Sequence, residues 1–438
     1  PAITAAPAAA PPASATPAVP APVAPAPVTP APAPAPAFAT TNLERVAHGR
    51  PVPRQLTIGG YLQAQYEANA ISEDQLQNGE TPLNQDRFVV RRARLRLDRG
   101  WDYAAATLEL DASTSHGPHV GIRRAEGSLL YRGDNPDNVP PLAMLSIGVT
   151  DLPFGFELAE SARVRAFMER SLASSALFPT EMDVGAKLSG AVSFVRYGVA
   201  ISNGEPVDSD GFPSDPNSAK DITGRLGVDA ELFDTLGLIG GTSFAVGKGF
   251  HAGSAATKDS VIWRDINQNR QVEANEVIGV PGSAETVSEN FERWAFGLDL
   301  GLRLKTPIGL SRVYGEVYVA SNYDRGFLPA DPVTTAQDVR EAGGYVAFVQ
   351  EIEEHALAGF RVSVYDPNSD VIETRAAKLV PKTQTVTTYS LLAGAVLPER
   401  ARLMFQYDFV QDYLGRDGQG VPTDADNDQW TLRLQVDL

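Results

Sequence analysis

Cysteine is absent from the 438-residue chain, which excludes disulfide frameworks, thiolate metal sites and cysteine nucleophiles. Histidine is scarce: the five residues, His48, His116, His119, His251 and His355, are scattered, so no zinc site built on imidazoles is expected. His116 and His119 read as part of a polar turn around Gly117-Pro118. Positive charge is also short, with 37 Lys+Arg against 54 Asp+Glu, only seven of them lysines, and a formal charge of −17. A phosphate backbone would repel such a chain, so a nucleic-acid partner is not expected. No stretch of about 18 consecutive apolar residues occurs, which excludes a transmembrane helix but not a barrel. Catalytic signatures are missing too. There is no GxSxG elbow and no carboxylate pair that its spacing singles out, so no enzymatic activity is expected.

Proline is not scarce, but it is uneven: 13 of the 33 fall within the first 36 residues, as in Ala31-Pro32-Ala33-Pro34-Ala35-Pro36. Alternating proline removes backbone donors and favours extended polyproline conformers that cannot build a core. At ~3.1 Å per residue such a spacer reaches on the order of 100 Å. The start without Met and without a charged-then-apolar leader suggests a signal peptide already removed. The chain is read as a Pro/Ala-rich linker or tail over 1–53, on the periplasmic side, followed by a single β domain over 54–438.

The β domain shows itself by period two. Leu56, Ile58, Gly60, Leu62, Ala64 and Tyr66 alternate with polar residues. So do Trp294, Phe296, Leu298, Leu300, Leu302 and Leu304, and finally Trp430, Leu432, Leu434, Val436 and Leu438. About sixteen such segments are found, near 54–67, 86–98, 101–111, 119–131, 142–150, 183–191, 193–203, 221–231, 235–247, 291–304, 309–322, 341–352, 354–366, 383–397, 399–412 and 428–438. Each approaches the length that a tilted strand needs to cross a bilayer. Short connections alternate with long polar ones, as in an antiparallel outer-membrane barrel. A soluble β-sandwich is the rival reading, and it gives no reason for that asymmetry. Trp101, Tyr103, Tyr131, Trp294, Tyr365, Tyr407, Tyr413 and Trp430 fall near segment ends, where interfacial girdles lie.

If the apolar set faces lipid, the other set lines a lumen. Arg92, Arg94 and Arg96 then form an inward row with few acids beside it in sequence, because a cation facing mid-bilayer lipid would cost about 2–4 kcal/mol. The same argument turns Arg225, Arg293, Arg303, Arg312, Arg361, Arg402 and Arg433 inward, with Glu109, Asp229, Asp299, Glu316, Asp408 and Asp437. Such charges either set a field that screens solutes or brace the wall as ion pairs, and the Arg92, Arg94 and Arg96 row is set apart from the bracing reading. Region 151–182 lacks β alternation and carries Arg163, Arg165, Glu169 and Arg170. It either folds into the lumen as a constriction or lies outside as a loop.

Several motifs, in order, carry a resemblance: Arg91-Arg92-Ala93-Arg94-Leu95, Ile147-Gly148 leading to Pro153-Phe154-Gly155-Phe156-Glu157, Phe167-Met168-Glu169-Arg170-Ser171, and Val184-Gly185 through Ser202-Asn203-Gly204. Over about 54–232 the chain resembles the phosphate-selective porins O and P. The resemblance implies a sixteen-stranded barrel, a homotrimer, an inward constriction loop holding Arg163, Glu169 and Arg170, and an arginine ladder that includes Arg92 and Arg94. The expected function is passive diffusion of small hydrophilic solutes, anions such as phosphate among them, across the lipid bilayer of the outer membrane. No cofactor is required for that role. The alternative is a structural barrel whose tail holds a cell-wall or periplasmic partner.

One further pattern lies in the long connection 248–290. Asp265, Asn267, Asn269, Gln271, Glu273 and Glu276 follow the spacing of an EF-hand loop, a hard-oxygen set suited to Ca²⁺. Arg270 stands where glycine normally makes the sharp turn, and a solvated acidic loop is the plainer reading.

Overall fold

The computed structural model describes residues 55–438 apart from 71–85, 116, 134–139, 206–214, 354, 371, 376–377, 382–383, 398–400, 414–423 and 425–426. The tail expected over 1–53 lies outside the described residues. In chain order the strands are β1 (Thr57–Asn69), β2 (Arg87–Gly100), β3 (Ala104–Ser113), β4 (His119–Tyr131), β5 (Ala143–Asp151), β6 (Met182–Val192), β7 (Val195–Ser202), β8 (Asp221–Phe233), β9 (Leu236–His251), β10 (Ser260–Trp263), β11 (Val277–Val280), β12 (Glu289–Thr306), β13 (Gly309–Ser321), β14 (Arg340–Ile352), β15 (Ala356–Asp366), β16 (Ile372–Arg375), β17 (Lys378–Pro381), β18 (Val386–Leu397), β19 (Ala401–Asp412) and β20 (Gln429–Asp437). Two short helices, α1 (Leu172–Leu177) and α2 (Pro332–Thr335), lie in connections.

Sixteen of these strands close into one antiparallel barrel, and the pairs β10–β11 and β16–β17 are separate hairpins in the connections. Each segment expected from the periodicity is a barrel strand, with its ends shifted by a few residues. Closure is completed by β1 against β20, from Tyr61 opposite Asp437 to Asn69 opposite Gln429. A closed sheet has no edge, so every ladder group finds a partner without help from water.

The two faces of the wall differ as the alternation requires. Along β12, Trp294, Phe296, Leu298, Leu300, Leu302 and Leu304 are exposed on the outside, while Arg293, Ala295, Asp299 and Arg303 are buried inside. On β20 Leu432 and Leu434 face out, and Thr431, Arg433 and Gln435 face in. Trp101, Tyr103 and Tyr131 are exposed at the end of the barrel where the connections are short. Tyr365 departs from the expected girdle. It shares the inner face with Arg361 and Ser363, and its hydroxyl donates to Asp324 at 2.6 Å.

Connections at one end are tight, as at 193–194, 234–235 and 307–308, while the other end carries 152–181, 203–220, 252–288 and 322–339. The exceptions are 114–118, short on the long side, and 132–142, long on the tight side. Leu300 lies mid-strand on the outer belt and is 60% exposed. Leu300→Arg should lower folding free energy in lipid vesicles by about 2–4 kcal/mol in urea titration. An unchanged midpoint would mean that this face does not meet hydrocarbon.

Candidate functional site

The segment 152–181 answers the question that its sequence left open, because it folds into the barrel. Its neck is closed by the Leu152 amide donating to the Glu181 carbonyl at 3.0 Å. The Pro153-Phe154-Gly155-Phe156-Glu157 motif is the anchor. Gly155 takes φ 59 and its amide donates to Ser243 Oγ at 2.9 Å. The next two amides, of Phe156 and Glu157, both donate to the Glu316 carboxylate, the first at 2.8 Å. The hydroxyls of Tyr318 and Tyr345 complete four donors around Glu316. A Cβ on residue 155 would stand 2.6 Å from Glu316 Oε2, which four donors hold, and with φ 59 the turn strongly favours glycine. Glu157 in turn accepts from Arg361 at 2.9 Å and from the Ser171 hydroxyl at 2.6 Å.

Around this anchor the loop buries an apolar face. Phe156, Phe167 and Met168 pack with Tyr314, Tyr345, Val349, Leu357 and Met404. Phe154, Leu177 and Phe178 pack with Ala295, Tyr318, Tyr323 and Tyr365. The wall residues in both clusters belong to β9, β12–β15, β18 and β19 or to the connection after β13. The loop therefore leans on that side of the barrel, and part of the interior is an apolar core instead of the open, guanidinium-lined bore that the alternation alone suggests.

Its opposite face meets arginines from β2, β4 and β20. Arg92 donates to Glu169 at 2.7 Å, Arg91 to the same carboxylate at 3.1 Å, and Arg433 at 2.7 Å. Arg94 meets Asp111 at 2.8 Å, and Arg96 meets Asp98 at 2.6 Å and Glu109 at 3.0 Å. The inward row is thus paired throughout, which corrects the reading that set it apart from wall-bracing ion pairs because few acids lie beside it in sequence. Asp111 and Glu109 stand directly opposite Arg94 and Arg96 on β3, and Glu169 arrives from the loop. Neither relation is adjacent in sequence, and an uncompensated guanidinium in so crowded an interior would carry a desolvation cost of several kcal/mol.

The remaining residues singled out from the sequence fall as follows. Arg225 pairs with Asp299 at 2.7 Å, Arg293 with Asp221 at 3.1 Å, and Arg303 with Asp229 at 2.9 Å. All three are inside and brace the wall. In the loop, Arg163 meets Asp437 at 3.1 Å and keeps 30% of its side chain exposed. Arg165 is 2% exposed and donates to the Glu160 carbonyl at 2.9 Å, while Arg170 donates to the Pro179 carbonyl at 2.9 Å. The latter two hold the loop together, and of the four loop residues only Arg165 is buried from water, while Arg163, Glu169 and Arg170 are partly reached by it.

Sequence reasoning did not assign Arg91, Arg123 and Arg124 to the interior. Register shifts explain them: Gln63 faces Arg92 but Ala64 faces Val90, which leaves Arg91 bulged, and the pairing of β3 with β4 skips Arg123. A bulge resets the alternation, so two successive side chains serve one face. Arg123 reaches Glu181 at 2.9 Å and Arg124 reaches Asp151 at 2.8 Å. The signal was an Arg-Arg dipeptide inside each of two strands.

The connection between β9 and β12 holds the EF-hand-like residues. Asp265 accepts from the Asn269 and Arg270 amides at 3.1 and 2.7 Å, and Glu276 from the Ile266 and Asn267 amides at 2.9 and 3.3 Å. Asn269 Oδ1 accepts from the Gln271 amide at 2.7 Å, and Glu273 accepts from the side-chain amides of Asn267 and Asn269. Arg270 takes φ 64, the glycine-like conformation its position demands. Among the described residues no three His, Cys, Asp or Glu side chains gather as they would around a metal ion.

In the next connection Asp331 caps α2, accepting from the Val333 and Thr334 amides at 3.0 and 3.1 Å, and meets His251 Nδ1 at 2.7 Å. Slight burial pushes its carboxyl up, but the Thr334 amide and hydroxyl and His251 outweigh it and hold it down at about 2. This cap is expected to be fully present above an unfolded-state value of about 3.9 and to be lost as pH falls through about 2. Thr334 amide exchange should follow that window and lose it in Asp331→Ala.

No family model matches the chain, and no curated protein matches it. Among solved structures the chain is similar to OprB of Pseudomonas putida, at 9% identity over 88% of this chain and 94% of that one, with a TM-score of 0.54. It is likewise similar to the outer membrane channel DcaP of Acinetobacter baumannii, at 10% identity over 88% and 97% of the two chains, with a TM-score of 0.52. At such identities the likeness is one of fold, the closed sixteen-stranded barrel of porins.

Gly155→Val is expected to free the loop while leaving the barrel closed, since a left-handed backbone costs an L-residue roughly 1–2 kcal/mol before the clash with Glu316 is added. Amide exchange at Phe156 and Glu157 should accelerate. Unchanged exchange would contradict the anchor.

Proposed function

We propose that the protein is a passive outer-membrane porin, a water-filled route for small hydrophilic solutes with a preference for anions. One observation carries this reading: an apolar outer belt encloses an interior whose charged groups are partly reached by water, as at Glu169, Arg91 and Arg163. Where the charged face of the inward loop meets β1, β2 and β20 it is joined to them directly, as by Gln63 to the Ala162 carbonyl at 3.0 Å and Arg433 to Glu169 at 2.7 Å, so the route would run beside these contacts, past the water-reached Glu169, Arg91 and Arg163. Opposed charges across so narrow a space select by sign and size without chemistry. Anion preference rests on the three guanidinium groups around the single Glu169 carboxylate. Phosphate as a solute and assembly as a homotrimer follow from the resemblance to the O and P porins and belong to the same proposal. The short-turn end, from which β1 starts and at which β20 ends, would face the periplasm.

Planar-bilayer recording of the purified protein should show ohmic current and, in a salt gradient, a reversal potential on the anion side. Arg92→Ala with Arg94→Ala should move that potential toward the cation side, since Glu169, Asp111 and Glu109 then lose counter-charges. Absence of current would overturn the reading.

A further inference from the structure

The clamp on Glu169 has properties that a structural ion pair does not need. Three guanidinium groups converge on one carboxylate, and Arg92 grips it as a fork, Nη1 to Oε1 at 3.0 Å and Nη2 to Oε2 at 2.7 Å. Parallel two-point contact of this kind matches a planar carboxylate. Each arginine also has a second partner that is not Glu169. Arg433 donates through Nε to Gln65 at 2.6 Å and through Nη1 to the Met168 carbonyl at 2.9 Å. Arg92 donates to Gln63 at 3.2 Å, and Arg91 to Ser115 Oγ at 3.2 Å. Arg433 is therefore held in place by two partners other than Glu169, and Arg92 and Arg91 each keep one.

The tenant is held less firmly than the site. The loop backbone beside it is fixed independently, by the Met168 amide on Gln406 at 2.9 Å and by Arg361 on the Glu169 carbonyl at 3.0 Å. The Glu169 side chain is 38% exposed, against 2% for Arg433 and 11% for Arg92, while Arg91, at 32%, is the outermost of the three donors. Rotation about its own χ angles would release it without moving the loop, leaving three positive groups and no carboxylate between them.

We infer that Arg91, Arg92 and Arg433 form a binding site for solute carboxylates, for which the Glu169 side chain is a built-in, displaceable competitor. The inference rests on the porin reading for its setting, since a solute must reach the site through the lumen. Competition of this kind keeps a passing carboxylate from being held too long. The solute gains the clamp only by displacing a residue that takes it back, and release is as necessary to permeation as entry.

The test is calorimetric titration of the full, detergent-purified chain with succinate. Glu169→Ala and the neutral isostere Glu169→Gln should each bind succinate about tenfold or more tighter than the native protein, as expected when a charged hydrogen-bonding competitor is removed. Adding Arg433→Ala to Glu169→Ala should abolish the gain, and where that pair does not fold, Glu169→Ala with the more exposed Arg91→Ala should reduce it. Equal succinate affinity in native and Glu169 variants would overturn the inference, as would a gain for inorganic phosphate without one for succinate. In bilayers the Glu169→Ala channel should show succinate block of chloride current at about tenfold lower concentration than the native channel. Because calorimetry needs no current, a protein that binds but does not conduct would refute the porin reading and leave the carboxylate site standing. One that conducts with indifferent Glu169 variants would do the reverse.

Discussion

The exclusion of charge from the outer face is the constraint on which the rest of the molecule depends. A strand with an apolar set of side chains turned to hydrocarbon must turn its other set inward, and in this chain that set is rich in arginine. Closing the strands into a barrel gathers such groups, most closely Arg91, Arg92 and Arg433, which share the Glu169 carboxylate. Their mutual repulsion and lost hydration have to be met on the spot. The wall meets part of the demand with cross-strand acids such as Asp111 and Glu109. The inward loop meets another part with Glu169 and Glu181.

The loop is thereby two-sided for a physical reason. Its aromatic face joins the tyrosines and aliphatic residues of β12–β15 in an ordinary core, tied down by Glu316 and Arg361. Its charged face completes the ion pairs of β2, β4 and β20. On the proposed porin reading the route lies beside the charged face, so the groups that hold the loop in position would also be those a solute meets. A chain with a formal charge of −17 can on this account still offer a locally cationic path, because net charge is a property of the whole surface and selection is a property of the narrowest part.

The barrel was legible in the sequence because period two is imposed on every strand by the same surroundings. β12 and β20 could be read residue by residue, and so could the inward sense of Arg225, Arg293 and Arg303. Pairing was less legible. Glu109 faces Arg96 across two strands, and Glu169 faces Arg92 from 77 residues away, relations that depend on register and on the path of the loop. Arg91 and Arg123 were hidden by bulges, which break the very alternation used to read the rest. For 152–181 the sequence offered two destinations. The deciding contacts, Glu316 with the Phe156 and Glu157 amides, join residues far apart in the chain.

The absence of native cysteine allows the central arrangement to be tested on a clean background. Arg91→Cys and Leu434→Cys, each made in the full chain and reconstituted in lipid vesicles, would be exposed to a charged, membrane-impermeant thiol reagent. Modification at position 91 with protection at position 434, together with a change of channel current only for the former, is the result the account predicts. Labelling of 434 with protection of 91 would put the lipid and water faces the other way round, and the account would be wrong.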